Sequence, residues 1–118
     1  MPGKRNGMLA VRDIIEAIAD IREFTEGISF EGFSKDKKGI AAVVQKLGVI
    51  GEAAKNIGPD IKRDHPDVDW RAVAGMRNKL VHEYFGVSIS IIWKTISEDL
   101  PVLEKAVKDY KTGKEPGR

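Results

Sequence analysis

The chain contains no cysteine. That excludes disulfides, thiolate catalysis and cysteine-ligated zinc. No apolar run approaches the roughly 20 residues that a bilayer-spanning helix requires. Residues Met1 to Ala10 include basic side chains but lack the apolar segment and cleavage site of a secretory signal, so a cytoplasmic setting is expected. Charge of one sign is also scarce. Twenty Lys and Arg stand against 18 Asp and Glu, for a formal net charge of +2 and a pI near 8.9. This weakly basic balance permits contact with RNA but does not itself suggest it, and it falls well short of a nucleic-acid coat. Basic residues gather toward the ends, at Lys4, Arg5 and Arg12 and again at Lys105, Lys108, Lys111, Lys114 and Arg118. Solvated helix faces and tails account for them. What remains is a globular composition, 42% hydrophobic and 32% charged over 118 residues, enough for one domain spanning 1–118 with one core.

Helical periodicity organises that composition. Val11, Ile14, Ile15, Ile18, Ile21 and Phe24 form one stripe of a first helix over about Val11 to Glu26, ended by Gly27. Ile28 to Lys38 is a connector with room for a short turn, and Phe30 and Phe33 are expected to tuck against the core. A second helix, Gly39 to Ile57, presents Ile40, Val43, Val44, Leu47, Ile50, Ala54 and Ile57, and Gly58-Pro59 ends it. Gly48 and Gly51 lie inside it at a cost of about 1 kcal/mol each relative to alanine, which points to close helix packing or a cleft. Asp60 to Asp69 is a polar linker with a possible turn at Ile61 to His65, and His65 is expected to face solvent. Asp69 suits the N-cap of a third helix, Trp70 to Phe85, with Gly86 as its stop. Ser88 suits the N-cap of a fourth, with the stripe Ile89, Ile92, Trp93, Ile96 and Leu100. Pro101 should kink or split that helix, and Val102, Leu103, Ala106, Val107 and Tyr110 continue the pattern. Residues 1–8 and 111–118 are expected to be flexible. No segment sustains strand alternation, and no internal repeat is visible. The pattern predicts an all-α bundle of four main helices with a broken last one.

One stretch exceeds structural need. Residues 77 to 84 read Arg-Asn-Lys-Leu-Val-His-Glu-Tyr. On a helix, Val73, Arg77, Leu80, Val81 and Tyr84 share a side, so Arg77 falls within the stripe expected to be buried. A buried guanidinium needs partners for its charge and five donors. Either a carboxylate such as Glu52 on the second helix supplies them, or the stripe borders a cleft and Arg77 faces a phosphate. His82 lies about 140° round an ideal helix from Arg77, and Asn78 is its face neighbour at four residues. A histidine in a last turn also favours the helix dipole without further function, and a tyrosine in such a stripe is commonly core.

The combination nevertheless suits phosphodiester chemistry. RNA is cleaved without metal when a base takes the 2′-hydroxyl proton, an acid protonates the leaving 5′-oxygen and a cation stabilises the charged phosphorane. Histidine suits either proton transfer, its ordinary pKa being near 6.5, and arginine suits the electrostatic role. One histidine does not easily fill both proton-transfer roles in one step. A two-fold dimer would resolve this by bringing two copies of Arg77 and His82 to one cleft, which predicts a homodimer with the site at or near its interface.

The motif Arg77-x4-His82-x-Tyr84 resembles the signature of the HEPN superfamily, specifically its HepT-like branch of toxins. The likeness extends through Ile50-Gly51-Glu52-Ala53-Ala54-Lys55, through His65-Pro66 leading to Trp70-Arg71, and through Gly75-Met76-Arg77-Asn78. It continues in His82-Glu83-Tyr84-Phe85-Gly86-Val87 and Asp99-Leu100-Pro101. Together these cover most of Val11 to Tyr110. The resemblance implies a HEPN-like up-down bundle of four to five helices, usually a homodimer. It implies metal-independent endoribonuclease activity without a cofactor, with Arg77 and His82 as catalytic residues. It implies a toxin–antitoxin setting with an MntA-type minimal nucleotidyltransferase partner, which silences the toxin by attaching AMP to the motif tyrosine, here Tyr84. Asn78 would support the site, with Glu52 as a neighbour.

Two readings from other classes stand beside it. One is a non-catalytic helical subunit that binds a nucleotide or presents substrate to a small nucleotidyltransferase, with Tyr84 as acceptor or contact. The other is a plain helical dimerisation module, which leaves Arg77 unexplained unless a carboxylate partners it. The intact arginine–histidine pair favours the nuclease over the partner subunit.

Overall fold

The computed structural model describes the backbone of residues 2–83 and 89–112 and the side chains of 7–76 and 89–111. These residues form α1 (Pro2–Thr25), α2 (Phe30–Lys35), α3 (Lys37–Ala54), α4 (Pro59–Asp64), α5 (Trp70–Glu83), α6 (Ile89–Lys94), a π-turn (Thr95–Asp99) and α7 (Leu100–Thr112). No strand occurs among them, so the all-α expectation holds. The three long helices α1, α3 and α5 carry the bundle: α3 packs against both α1 and α5, and α7 closes over α1.

The core follows the predicted stripes. Val11, Ile14, Ile18 and Ile21 of α1 meet Val43, Leu47 and Ile50 of α3 and Leu103 and Val107 of α7, all essentially sealed from solvent. Each such side chain contributes about 1.5–3 kcal/mol relative to exposure. Phe33 is buried and stacks obliquely on Trp93, with centroids 5.2 Å apart. Phe30 meets the same indole edge-on at 6.0 Å but stays 43% exposed. Only one of the two connector phenylalanines is therefore core. Phe24 is also exposed at the end of α1, because the buried face there passes from Ile21 to Thr25, whose hydroxyl donates to the Ile21 carbonyl at 2.8 Å.

The helix ends show where sequence signals act. α1 begins at Pro2, nine residues ahead of its apolar stripe, with proline suited to a first turn that has no N–H partner. Gly7 is buried there against the turn after α3, where a Cβ on it would lie 3.7 Å from the Asn56 carbonyl oxygen, an ordinary contact. Gly27 ends α1 with φ +72°, a region glycine enters without strain. Ser29 caps α2 and Asp36 caps α3 through side-chain oxygens that accept from Gly32 and Gly39. α3 closes at Ala54, three residues short of expectation. Asn56 and Ile57 then donate three residues back, to the Ala53 and Ala54 carbonyls at 2.9 and 3.2 Å, tightening the exit.

Pro101 disrupts its helix in a particular way. α6, the π-turn and α7 run on without interruption from 89 to 112. The widened turn falls immediately before the proline, where the Leu100 N–H donates to the Thr95 carbonyl five residues back. Proline has no N–H for the carbonyl four residues earlier, and its ring clashes with that carbonyl. Inserting one residue into the turn relieves the clash and lets helical structure continue.

Candidate active site

α5 spans Trp70–Glu83, so the motif positions 77, 78 and 82 lie on one helix, as expected. The side chains of Arg77, Asn78 and His82, and all of Tyr84 and the Ser88 cap, lie outside the described residues.

The start of this helix is firmly built. The Asp69 carboxylate accepts from the Ala72 N–H at 3.0 Å, the predicted N-cap. Trp70 and Val73 are buried, and the Trp70 indole N–H donates 3.0 Å to the His65 carbonyl. His65 itself is 8% exposed, which corrects the expectation of a solvent-facing loop residue. Its N–H ends α4 by donating to the Ile61 carbonyl at 3.0 Å, and its carbonyl takes both the indole and the Val68 N–H. The linker is therefore a packed corner that fixes where α5 begins, about two turns before Arg77.

Glu52 sits near the end of α3, the helix that packs on α5. Its side chain is about half exposed, at 48%, and its carboxylate accepts from Lys55 Nζ at 3.1 Å. It borders an open groove together with Gly48, Val49 and Asn56. Of the two helix-interior glycines flagged by sequence, Gly51 is buried and Gly48 lines this groove. Glu52 therefore combines solvent access with placement on the helix facing the motif helix.

A second cleft was not foreseen. It has a volume of about 460 Å³ and lies between the first turns of α5 and the run from Ile91 to Val102. Gly75 and Met76, the two residues ahead of Arg77, form part of its wall. The available signal was Gly75, a third helix-interior glycine. Among the described residues, no group of three or more His, Cys, Asp or Glu side chains is disposed to hold a metal ion, and no helix is long and apolar enough to cross a membrane.

A bundle of this architecture, with the arginine and histidine positions of an Arg-x4-His-x-Tyr sequence on its third long helix, defines a HEPN-type helical domain. Residues 14–110 match the family model for HepT-like ribonucleases, and the chain belongs to that family. It is 52% identical over 101 residues to a Thermococcus cleftensis protein named probable ribonuclease HepT, covering 86% of this chain and 92% of that one. A Caldanaerobacter subterraneus subsp. tengcongensis protein that carries a provisional RNase name is 47% identical over 96 residues, covering 81% and 86%. A Methanocaldococcus jannaschii protein with a provisional RNase name is 42% identical over 101 residues, covering 82% and 84%. No solved structure matches the chain.

Proposed function

We propose that this protein is a metal-independent endoribonuclease in which Arg77 and His82 carry the chemistry. One observation bears most of the weight: an intact Arg-x4-His-x-Tyr motif in the sequence, its arginine and histidine positions on α5, within a family match that covers residues 14–110. The 2′-oxygen attacks phosphorus, its proton passes to a general base, and the P–O5′ bond breaks as the 5′-oxygen takes a proton from a general acid. The products are a 2′,3′-cyclic phosphate and a 5′-hydroxyl. His82 serves as one proton carrier, and its copy in a homodimer serves as the other. Arg77 stabilises the charge that develops on the phosphorane. Asn78 and Glu52 support the site, and the exposure of Glu52 beside α5 is compatible with that role.

The biological setting we infer is a cytoplasmic toxin–antitoxin pair. An MntA-type nucleotidyltransferase partner would transfer AMP to Tyr84, two residues beyond His82. The added phosphates would lie near a phosphate-binding arginine, and so would both occupy and neutralise the cleft.

The test compares cleavage of single-stranded RNA by wild type, Arg77→Ala and His82→Ala in EDTA. Activity that persists in chelator and is lost in both variants supports the reading. A folded wild type that cuts nothing overturns it in favour of the non-catalytic partner subunit. Coexpression with the nucleotidyltransferase followed by intact mass measurement tests the silencing. A mass gain in wild type that disappears in Tyr84→Phe is expected, and no gain, or an undiminished gain in the variant, rules it out.

A further inference from the structure

The cleft beside the start of α5 has a chemistry unlike that of a nuclease site. Its floor is apolar, with Val68, Val73 and Met76, and the apolar surface continues outward onto Ile91 and Val102, which are 41% and 38% exposed. Among the described residues its charged lining is acidic: Asp67, Asp69 and Asp99 contribute carboxylates, with no lysine or arginine beside them. Asp69 is engaged at the α5 N-cap. Asp67 and Asp99 form no ion pair among the described residues.

Gly75 adds an independent observation. It lies inside α5, where glycine weakens a helix relative to alanine. A Cβ built on it would meet nothing within 4 Å. Packing among the described residues therefore does not require glycine, yet the position opens onto the cleft. Glycine at such a place suits close approach by something outside the chain.

We propose that this cleft is a docking site for a protein partner that presents aliphatic side chains flanked by lysine or arginine. The acidic rim repels a phosphate backbone, which argues against an RNA track. A second copy seated symmetrically would set these aspartates against their own equivalents, and like charges so placed disfavour association. A basic, aliphatic segment satisfies both the rim and the floor, and the missing Cβ at position 75 lets its backbone or a bulky side chain come close. This inference does not depend on the nuclease reading.

The experiment uses the full chain with labelled Ile and Val methyl groups, followed by NMR. The probes are two synthetic helical peptides of about 16 residues with identical leucine spacing, one with lysine and one with glutamate at the remaining charged positions, and a single-stranded RNA of about 10 nucleotides. The lysine peptide should move the Ile91 and Val102 methyl signals saturably. Asp67→Asn with Asp99→Asn, or ~0.5 M salt, should weaken it at least about fivefold. Gly75→Ala should raise the melting temperature by about 4 °C while weakening the peptide about tenfold. That pairing separates a lost site from a lost fold. The proposal is overturned if the lysine peptide leaves those methyls unmoved, if the glutamate peptide binds as well, or if RNA moves the same signals. It is equally overturned if protein concentration alone moves them, or if Gly75→Ala stabilises the chain without weakening the peptide.

Discussion

The Trp70 indole N–H reaches back five residues to the His65 carbonyl, at 3.0 Å and out of solvent. This single bond ties the last residue of the α4 corner to the first residue of the motif helix. His65 is thereby recruited for its backbone, and its side chain is buried as a consequence of the corner. Any displacement of that corner moves the helix that carries Arg77 and His82.

Trp70→Phe should therefore cost about 1–3 kcal/mol, because the buried His65 carbonyl loses its indole donor and the smaller phenyl leaves part of the indole volume unfilled. Urea unfolding measures the loss. The same variant should lower RNA cleavage more than an equally destabilising change far from α5, since the register of the motif helix depends on this contact.

Asp69→Ala removes the acceptor for the Ala72 N–H. Loss of an N-cap typically costs about 1 kcal/mol. For a chain of this size that is a fall of about 3–6 °C in melting temperature, read by circular dichroism. Asp69→Ser, which keeps an acceptor, should recover most of it.

Most of the core was legible in the sequence, because Val11, Ile14, Ile18, Ile21, Val43, Leu47 and Ile50 recur at helical spacing and no strand pattern competes. The first turns of α1 were not, since Pro2 to Gly7 carry no stripe and owe their helix to the rest of α1. The fate of Pro101 was legible only as a disruption. Periodicity shows that the proline breaks the ladder, but not that a five-residue hydrogen bond at Thr95 absorbs it. His65 was misjudged because adjacency to proline suggests a loop and gives no sign of a tertiary bond from Trp70. The Arg77-x4-His82-x-Tyr84 run, whose side chains lie outside the described residues, was legible as a motif. The acidic cleft was not, because Asp67 and Asp99 are 32 positions apart and only the fold brings them to one rim.

Leu47 is completely buried at the centre of α3, where α1 and α5 flank it. Leu47→Ala should cost about 2–5 kcal/mol, the loss of transfer energy plus the cavity left behind. Denaturant midpoints check this. Val49→Ala on the same helix, 39% exposed, should change stability by no more than about 0.5 kcal/mol. A similar loss at both positions would mean that the α3 face assignment is wrong.

Arg77 allows its two possible roles to be separated by one conservative change. If it were only the partner of a carboxylate such as Glu52, Arg77→Lys would keep a cation in reach and leave cleavage nearly intact. If it stabilises a phosphorane, lysine substitutes poorly, because a point charge lacks the planar fork that meets two phosphate oxygens at once. We expect Arg77→Lys to lower kcat/KM for RNA about 100-fold while stability changes by less than about 1 kcal/mol. Steady-state cleavage and urea unfolding on the same preparation give both numbers. Glu52→Gln serves as the control on the other side of the pair. Its half-exposed carboxylate already accepts from Lys55, so neutralising it should change stability little. Any fall in cleavage would then report support of the site. Near-normal cleavage by Arg77→Lys, together with a large stability coupling between positions 52 and 77, would assign the guanidinium to the fold and leave the phosphodiester chemistry without its cation.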